Sequence, residues 1–219
     1  MKKILTILLL AVSITAWADK WYVATTGSDT HGKGTLADPW LTIKHAADTV
    51  TGAAFVGDTI IVGAGTFAVP SQISLGVGVS LRGAGNNSIL VGDYYTASES
   101  YGIVSLYSYP SQGVNGNQSI SHLQFDGQNG SAFAAIVVFG RSNVKIHDVY
   151  IHDFDAIGIY LRGGCVRSGG YEGNVGVAPT TYETGNEIYN CTLTNNGNNI
   201  QLNSQSDPIV QNYRDWETS

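Results

Sequence analysis

Ile120-Ser-His-Leu-Gln-Phe125, Ile146-His-Asp-Val-Tyr-Ile151 and Ile188-Tyr-Asn-Cys-Thr-Leu193 repeat one pattern. Each runs apolar, two polar or bend residues, apolar, polar, apolar. Each is followed by a polar turn and a third strand-like run, at 135–139, 157–161 and 199–203. The first two copies lie 26 residues apart and the next two 42 apart, because 163–185 reads as an insertion. A unit of roughly 20 to 26 residues holding three short strands is one coil of a solenoid. Leucine-rich repeats share the period, but their Leu-rich strand and Asn ladder are absent.

The expected fold is therefore all-β, a right-handed parallel β-helix, the hand following from the usual sense of parallel crossovers. Alternate strand residues face opposite sides. Ile146, Val149, Ile151, Ile159 and Leu161 should stack inward on Ile188, Cys191, Leu193, Ile200 and Leu202. Lys145, Tyr150, Tyr160 and Arg162 should face outward. The bends Ser121-His122, His147-Asp148 and Tyr189-Asn190 turn the chain sharply, and Asn and Asp tolerate the left-handed backbone such bends need.

Composition agrees. Of 219 residues, 27 are Gly and 13% are charged, about half the usual charged share. Few Glu and Lys are present to clothe helices. At 43% hydrophobic the chain buries a core, which excludes wholesale disorder. A formal charge of -6 lacks the basic face that nucleic acid requires. No run of ~18 apolar residues is present, so no stable membrane span is expected.

Residues 1–18 read as a signal peptide: Lys2 and Lys3, an apolar run from Ile4 to Ile14, then Ala16-Trp17-Ala18. Asp19 becomes the mature start, and loss of two lysines takes the charge from -6 to -8. The expected location is secreted, periplasmic or cell-surface. Export makes Cys165 and Cys191 eligible for a disulfide; the inward register of Cys191 favours a buried free thiol.

Trp21-Tyr-Val-Ala-Thr-Thr-Gly27-Ser-Asp29, Gly34-Thr35, Pro39-Trp40-Leu-Thr42-Ile43, Ala46-Ala47, Gly57-Asp58-Thr59-Ile60-Ile61-Val62 and Gly65-Thr66-Phe67 resemble the opening module of the pectate-lyase-like (pectin lyase fold) superfamily. Ile43, Ala46, Ala47 and Val50 form one face of a short helix with Thr42 near its start, suited to capping the first coil. The expected organisation is a capping module and first coil at 19–70, then coils over 71–219. After Leu202 no closing helix or strand is read, and Arg214-Asp215-Trp216-Glu217 follows no coil pattern, so a C-terminal truncation is expected.

The resemblance implies a polysaccharide substrate laid over the strand 157–161, with Phe139, Tyr160 and Gln201 beneath it. Acidic-polysaccharide lyases of the superfamily bind Ca²⁺ through acidic side chains and use a basic residue for proton abstraction. Carried onto this chain, that gives Asp153 and Asp155 as Ca²⁺ ligands and Arg162 and His152 as catalytic residues. Arg stays protonated at ordinary pH, so Arg162 needs help to act as a base. Asp148 and His147 read as bend residues, with His122 at the equivalent bend. The implied function is β-elimination of pectate or alginate by a monomer, with glycoside hydrolysis second. The alternatives are a non-catalytic, adhesin-like glycan-binding protein and an inactive fragment of a longer enzyme.

Overall fold

The computed structural model describes residues 18–94, 102–108, 111, 113–128, 133–162, 183–203, 205–206, 209–211 and 214–215. The chain visits three parallel sheets in rotation, adding one strand to each per circuit. It enters the first sheet with β1 (Lys20–Val23). A first circuit follows with β2 (Thr59–Val62), β3 (Gly65–Val69) and β4 (Ile73–Ser74). The second is β5 (Ser80–Arg82), β6 (Ser88–Gly92) and β7 (Gly102–Tyr107). The third is β8 (Val114–Ser121), β9 (Gln124–Asp126) and β10 (Ala134–Phe139). The fourth is β11 (Arg141–His147), β12 (Tyr150–His152) and β13 (Ile157–Arg162). After β14 (Glu183–Thr184), a fifth comprises β15 (Glu187–Tyr189), β16 (Thr192–Thr194) and β17 (Asn198–Asn203). β18 (Gln205–Ser206) pairs with β14, then β19 (Ile209–Gln211) and β20 (Arg214–Asp215) extend the first and second sheets.

Register explains why these residues form these strands. In the first sheet Ile60, Leu81, Ile120, Ile146 and Ile188 occupy one column. In the second, Phe67, Leu90, Phe125, Ile151 and Leu193 do so. In the third, Ile73, Val104, Ile136, Ile159 and Ile200 do so. These columns join in one apolar core. Each circuit adds an apolar layer to the last, so neighbouring coils bury one another.

The bends take the expected backbone. His122, Asp148 and Asn190 have φ of 58°, 53° and 53°. Gly83 precedes His122 by one circuit, and a Cβ there would lie 2.2 Å from the His122 carbonyl oxygen, so the coils approach too closely for any side chain. Inside the turns, buried Asn residues take the place of apolar ones. Asn186 accepts from the Val144 N–H and donates to the Arg141 carbonyl. Asn196 does the same for Phe154 and Ile151. Both satisfy buried backbone of the preceding circuit.

Helix α1 (Ile43–Thr49) covers the open end of the core. Thr42 caps it by accepting from the His45 N–H, and Ile43, Ala46 and Ala47 are buried. Asp29 accepts from the Leu41 and Thr42 N–H groups and from the Thr42 hydroxyl. Trp40 stacks on Trp21 at 5.4 Å. Gly34 has φ +69°, and a Cβ on it would meet the Trp40 ring at 2.7 Å.

Three sequence expectations change. Leu202, expected to stack inward, is 44% exposed. β19 pairs with β15, and β20, at Arg214–Asp215, pairs with β16. Strand pairing therefore continues past Leu202 through the segment that carries no apolar pattern. Pairing runs through the backbone, which polar residues supply as well as apolar ones. Tyr160 and Arg162 point away from the central core, yet they are buried rather than open. Ala134, Val137, Phe139, Ile157 and Tyr160 form a second apolar cluster on the outer side of the third sheet.

Candidate functional site

The sequence reading lays the substrate over β13. Tyr160 does neighbour Gln201, and Phe139 aligns with Arg162. The Arg162 guanidinium lies 4.8 Å from the Phe139 ring centre and 5.5 Å from that of Tyr160. Phe139 and Tyr160 are each 1% exposed and Arg162 4%. This face is packed, and a chain of sugars has no access to these three side chains as they stand.

At the turn after β12, His152 and Asp153 pair, Nδ1 to Oδ2, at 2.7 Å. The Gln124 side-chain amide nitrogen sits 2.9 Å from His152 Nε2. That contact makes Nε2 the acceptor, so Nδ1 carries the proton and donates to Asp153. Asn195, one circuit on, donates to the other Asp153 oxygen. Asp126 Oδ1 lies 4.0 Å from His152 Nδ1 and accepts the Gln128 N–H. The His152 hydrogen bond, then that of Asn195, holds the Asp153 carboxyl below its ordinary 3.8. Asp126, His152 and Asp153 form a compact group in which Asp155, exposed, takes no part. Calcium wants six or more oxygens. Here the group offers an imidazole and four carboxylate oxygens, three of which already accept hydrogen bonds, so it falls short of a calcium shell.

A second His–Asp pair sits one bend earlier. His147 Nδ1 is 2.7 Å from Asp148 Oδ2. The His147 ring stacks on Tyr189, 4.8 Å between centres and 1° from parallel. His122 approaches from the preceding circuit, with Nε2 3.9 Å from the same Asp148 oxygen. The His147 hydrogen bond lowers the Asp148 pKa. With Nδ1–H donating to Asp148, His147 Nε2 carries the ring's lone pair, and no described residue hydrogen-bonds to it.

Two clefts flank this pair. One of ≈ 410 Å³ runs over the first sheet, with Lys20, Thr59, Arg82, Ser119, His122 and His147 in its lining. The other, of ≈ 550 Å³, runs over the bend onto the second sheet, with Asn86, His122, Asp148, Tyr150, Asn190 and Thr192 in its lining. The outward register on the first sheet sets Lys20 in one column with Thr59, Ser80, Ser119, Lys145 and Glu187. Beside it runs Tyr22, Ile61, Arg82, Ser121, His147 and Tyr189. Lys20, Arg82 and Lys145 are exposed, and Lys145 pairs with Glu187 at 3.4 Å.

The repeat alignment began at Ile120 and so missed Lys20 and Arg82. Extending it back to Ser80-Leu-Arg82 puts Arg82 in line with His147, and that was the available signal.

Short strands gathered into three parallel sheets around an apolar core, with little helix, define the class: an all-β protein. No protein-family model and no curated protein matches the chain. Among solved structures it is similar to a rhamnogalacturonan lyase, at 18% identity and a TM-score of 0.55 over 90% of this chain and 56% of that one. The chain thus spans little more than half the length of that lyase. It is also similar to ORF18 of Geobacillus virus E2, at 15% identity and a TM-score of 0.44 over 83% of this chain and 40% of that one. A proposed glycosyl hydrolase from Parabacteroides merdae gives 15% and 0.43 over 79% and 88%. At these identities the likeness to the lyase is one of fold. Among the described residues, no helix is long and apolar enough to cross a membrane.

Proposed function

We propose that the chain is an exported, monomeric right-handed parallel β-helix of the pectate-lyase-like kind that binds an acidic polysaccharide along its first sheet and cleaves it by β-elimination. The observation that carries this is the cleft joining Lys20 and Arg82 to the His147–Asp148 pair. A chain whose formal charge of -6 becomes -8 without the leader's two lysines repels a polyanion unless cations are gathered locally. Here an exposed cationic row meets a histidine poised as a base.

Outward side chains of stacked strands repeat at ~4.8 Å, giving a rigid row along which an extended sugar chain can lie. Arg82, two strands from His147, would hold the uronate carboxylate, and Lys20, two strands further along the sheet, that of another sugar in the chain. His147 Nε2 takes the proton from the carbon beside that carboxylate. The electron pair forms the carbon–carbon double bond, and the glycosidic C–O bond breaks, its oxygen leaving as the new hydroxyl once protonated. Asp148 keeps the imidazole oriented and stabilises it once charged. His152–Asp153 is the second candidate pair, but Gln124 occupies His152 Nε2.

The test is absorbance at the unsaturated-uronide band with pectate, rhamnogalacturonan and alginate, with and without chelator. The expected result is activity that survives chelation, falls at least 100-fold in His147→Ala, and persists in His152→Ala. Loss in His152→Ala with full activity in His147→Ala would move the chemistry to the turn after β12. Binding without cleavage would leave the glycan-binding alternative.

A further inference from the structure

Asp58, between the first helix and β2, is a buried carboxylate with no cationic partner among the described residues. It is 4% exposed. Its two oxygens accept from the Asp19 backbone N–H and from Trp21 Nε1, each at 2.8 Å. Among the described residues no Lys, Arg or His forms an ion pair with it. Burying a carboxylate on two neutral donors is costly, and an opposite charge in place of one of them lowers that cost.

The donor is the informative part. Asp19 is the residue that follows Ala16-Trp17-Ala18, the small-x-small ending of the leader sequence. Ala18 and Asp19 are both exposed, so an endopeptidase can reach the bond between them. The Asp19 carbonyl accepts the Thr59 N–H at 2.9 Å, so this residue is held through its backbone at both ends, by Asp58 and by β2.

We propose that cleavage at Ala18–Asp19 is a maturation step that completes the first sheet: the freed α-ammonium of Asp19 becomes the cation for Asp58. Hydrolysis by an export endopeptidase consumes one water and leaves an Ala18 carboxylate and an Asp19 amine, which takes a proton. The neutral N–H already 2.8 Å from Asp58 Oδ1 is thereby replaced by a charged donor in place. The result anchors β1, the edge strand that carries Lys20 into the cleft. This inference rests on the export reading, and its test separates the two.

Four purified chains decide it: those starting at Asp19 or at Ala18, each with Asp58 or with Asp58→Asn. The chain starting at Asp19 should be more stable than the one starting at Ala18 by about tenfold in the unfolding equilibrium constant. Asp58→Asn should abolish that difference. Equal stability of the two starts, or a difference that survives Asp58→Asn, overturns the capture of the ammonium by Asp58. Separately, the mass of the full chain after bacterial export should correspond to an Asp19 start. A different start, or none, overturns the maturation step while leaving the in vitro comparison interpretable.

Discussion

Asp148 and Asp153 each do two things at once. Both adopt left-handed backbone, at φ 53° and 62°, and both accept from the preceding histidine at 2.7 Å. The two functions separate by substitution. Asp148→Asn keeps a side chain suited to the left-handed bend, whereas Asp148→Val adds about 1–2 kcal/mol of backbone strain; urea unfolding at neutral pH reads the difference. Hydrogen bonds from the histidines, His147 for Asp148 and His152 for Asp153, hold both carboxyls below their ordinary 3.8. Their contribution to stability is thus complete above that value and is lost as pH falls through the lower folded-state pKa. Thermal scans from pH 6 to 2 should show a shallower acid decline in the Asp148→Asn, Asp153→Asn double variant than in the parent. Cys191 makes a simpler case. It is buried and free, donates to the Tyr189 carbonyl at 3.3 Å, and burial pushes its thiol up to about 12. A thiol reagent at pH 8 should leave Cys191 unlabelled in the folded protein and label it on unfolding, as peptide mapping would show. Its expected partner in any bridge, Cys165, lies outside the described residues.

At the scale of the strand, stability resides in the inward columns. Ile146 is fully buried between Ile120 and Ile188, so Ile146→Ala leaves a cavity flanked by two coils and should cost about 3–4 kcal/mol. Its neighbour Lys145 faces out at half exposure, and Lys145→Ala should cost under ~0.5 kcal/mol; the pair of urea midpoints checks both. This contrast was legible in the sequence because alternation and coil period act together: 120, 146 and 188 share a side as well as a phase. The left-handed bends at His122, Asp148 and Asn190 were legible for the same reason, as was the Thr42 cap of α1. The site was not. Whether an outward residue is open depends on which connecting segment crosses it, and no periodicity records that. Arg162 and Tyr160 are outward in register yet buried, packed with Phe139, while His147, read as a bend residue, borders an open cleft. Asp153 and Asp155, two apart in the turn, looked like partners. The structure gives Asp153 to His152 and Asn195 instead, and leaves Asp155 exposed.

Over the whole molecule, acidity and a polyanionic ligand are reconciled by where the cations stand. Arg82 and Lys145 lie on the outer face of the first sheet, while Lys33 and Lys44 lie outside it, Lys44 in α1 and paired with Asp48. Removing either pair of positive charges changes net charge equally. If bulk charge governed binding, the two double variants would behave alike. If the row governs it, Arg82→Ala with Lys145→Ala should weaken binding of polygalacturonate about tenfold, from two lost contacts of ~1 kcal/mol or less each. Lys33→Ala with Lys44→Ala should then change it less than twofold, and the parent affinity should fall with added salt as the charges are screened. Glu187 supplies a prediction of opposite sign. It sits at the far end of the same column and its carboxylate, 3.4 Å from the Lys145 ammonium, both neutralises that cation and repels the ligand. Glu187→Gln should therefore tighten binding at low salt, with the gain vanishing once Lys145 is also replaced. Calorimetric titration of the single and double variants measures that coupling, and a Glu187→Gln chain that binds no better than the parent would place the polysaccharide elsewhere.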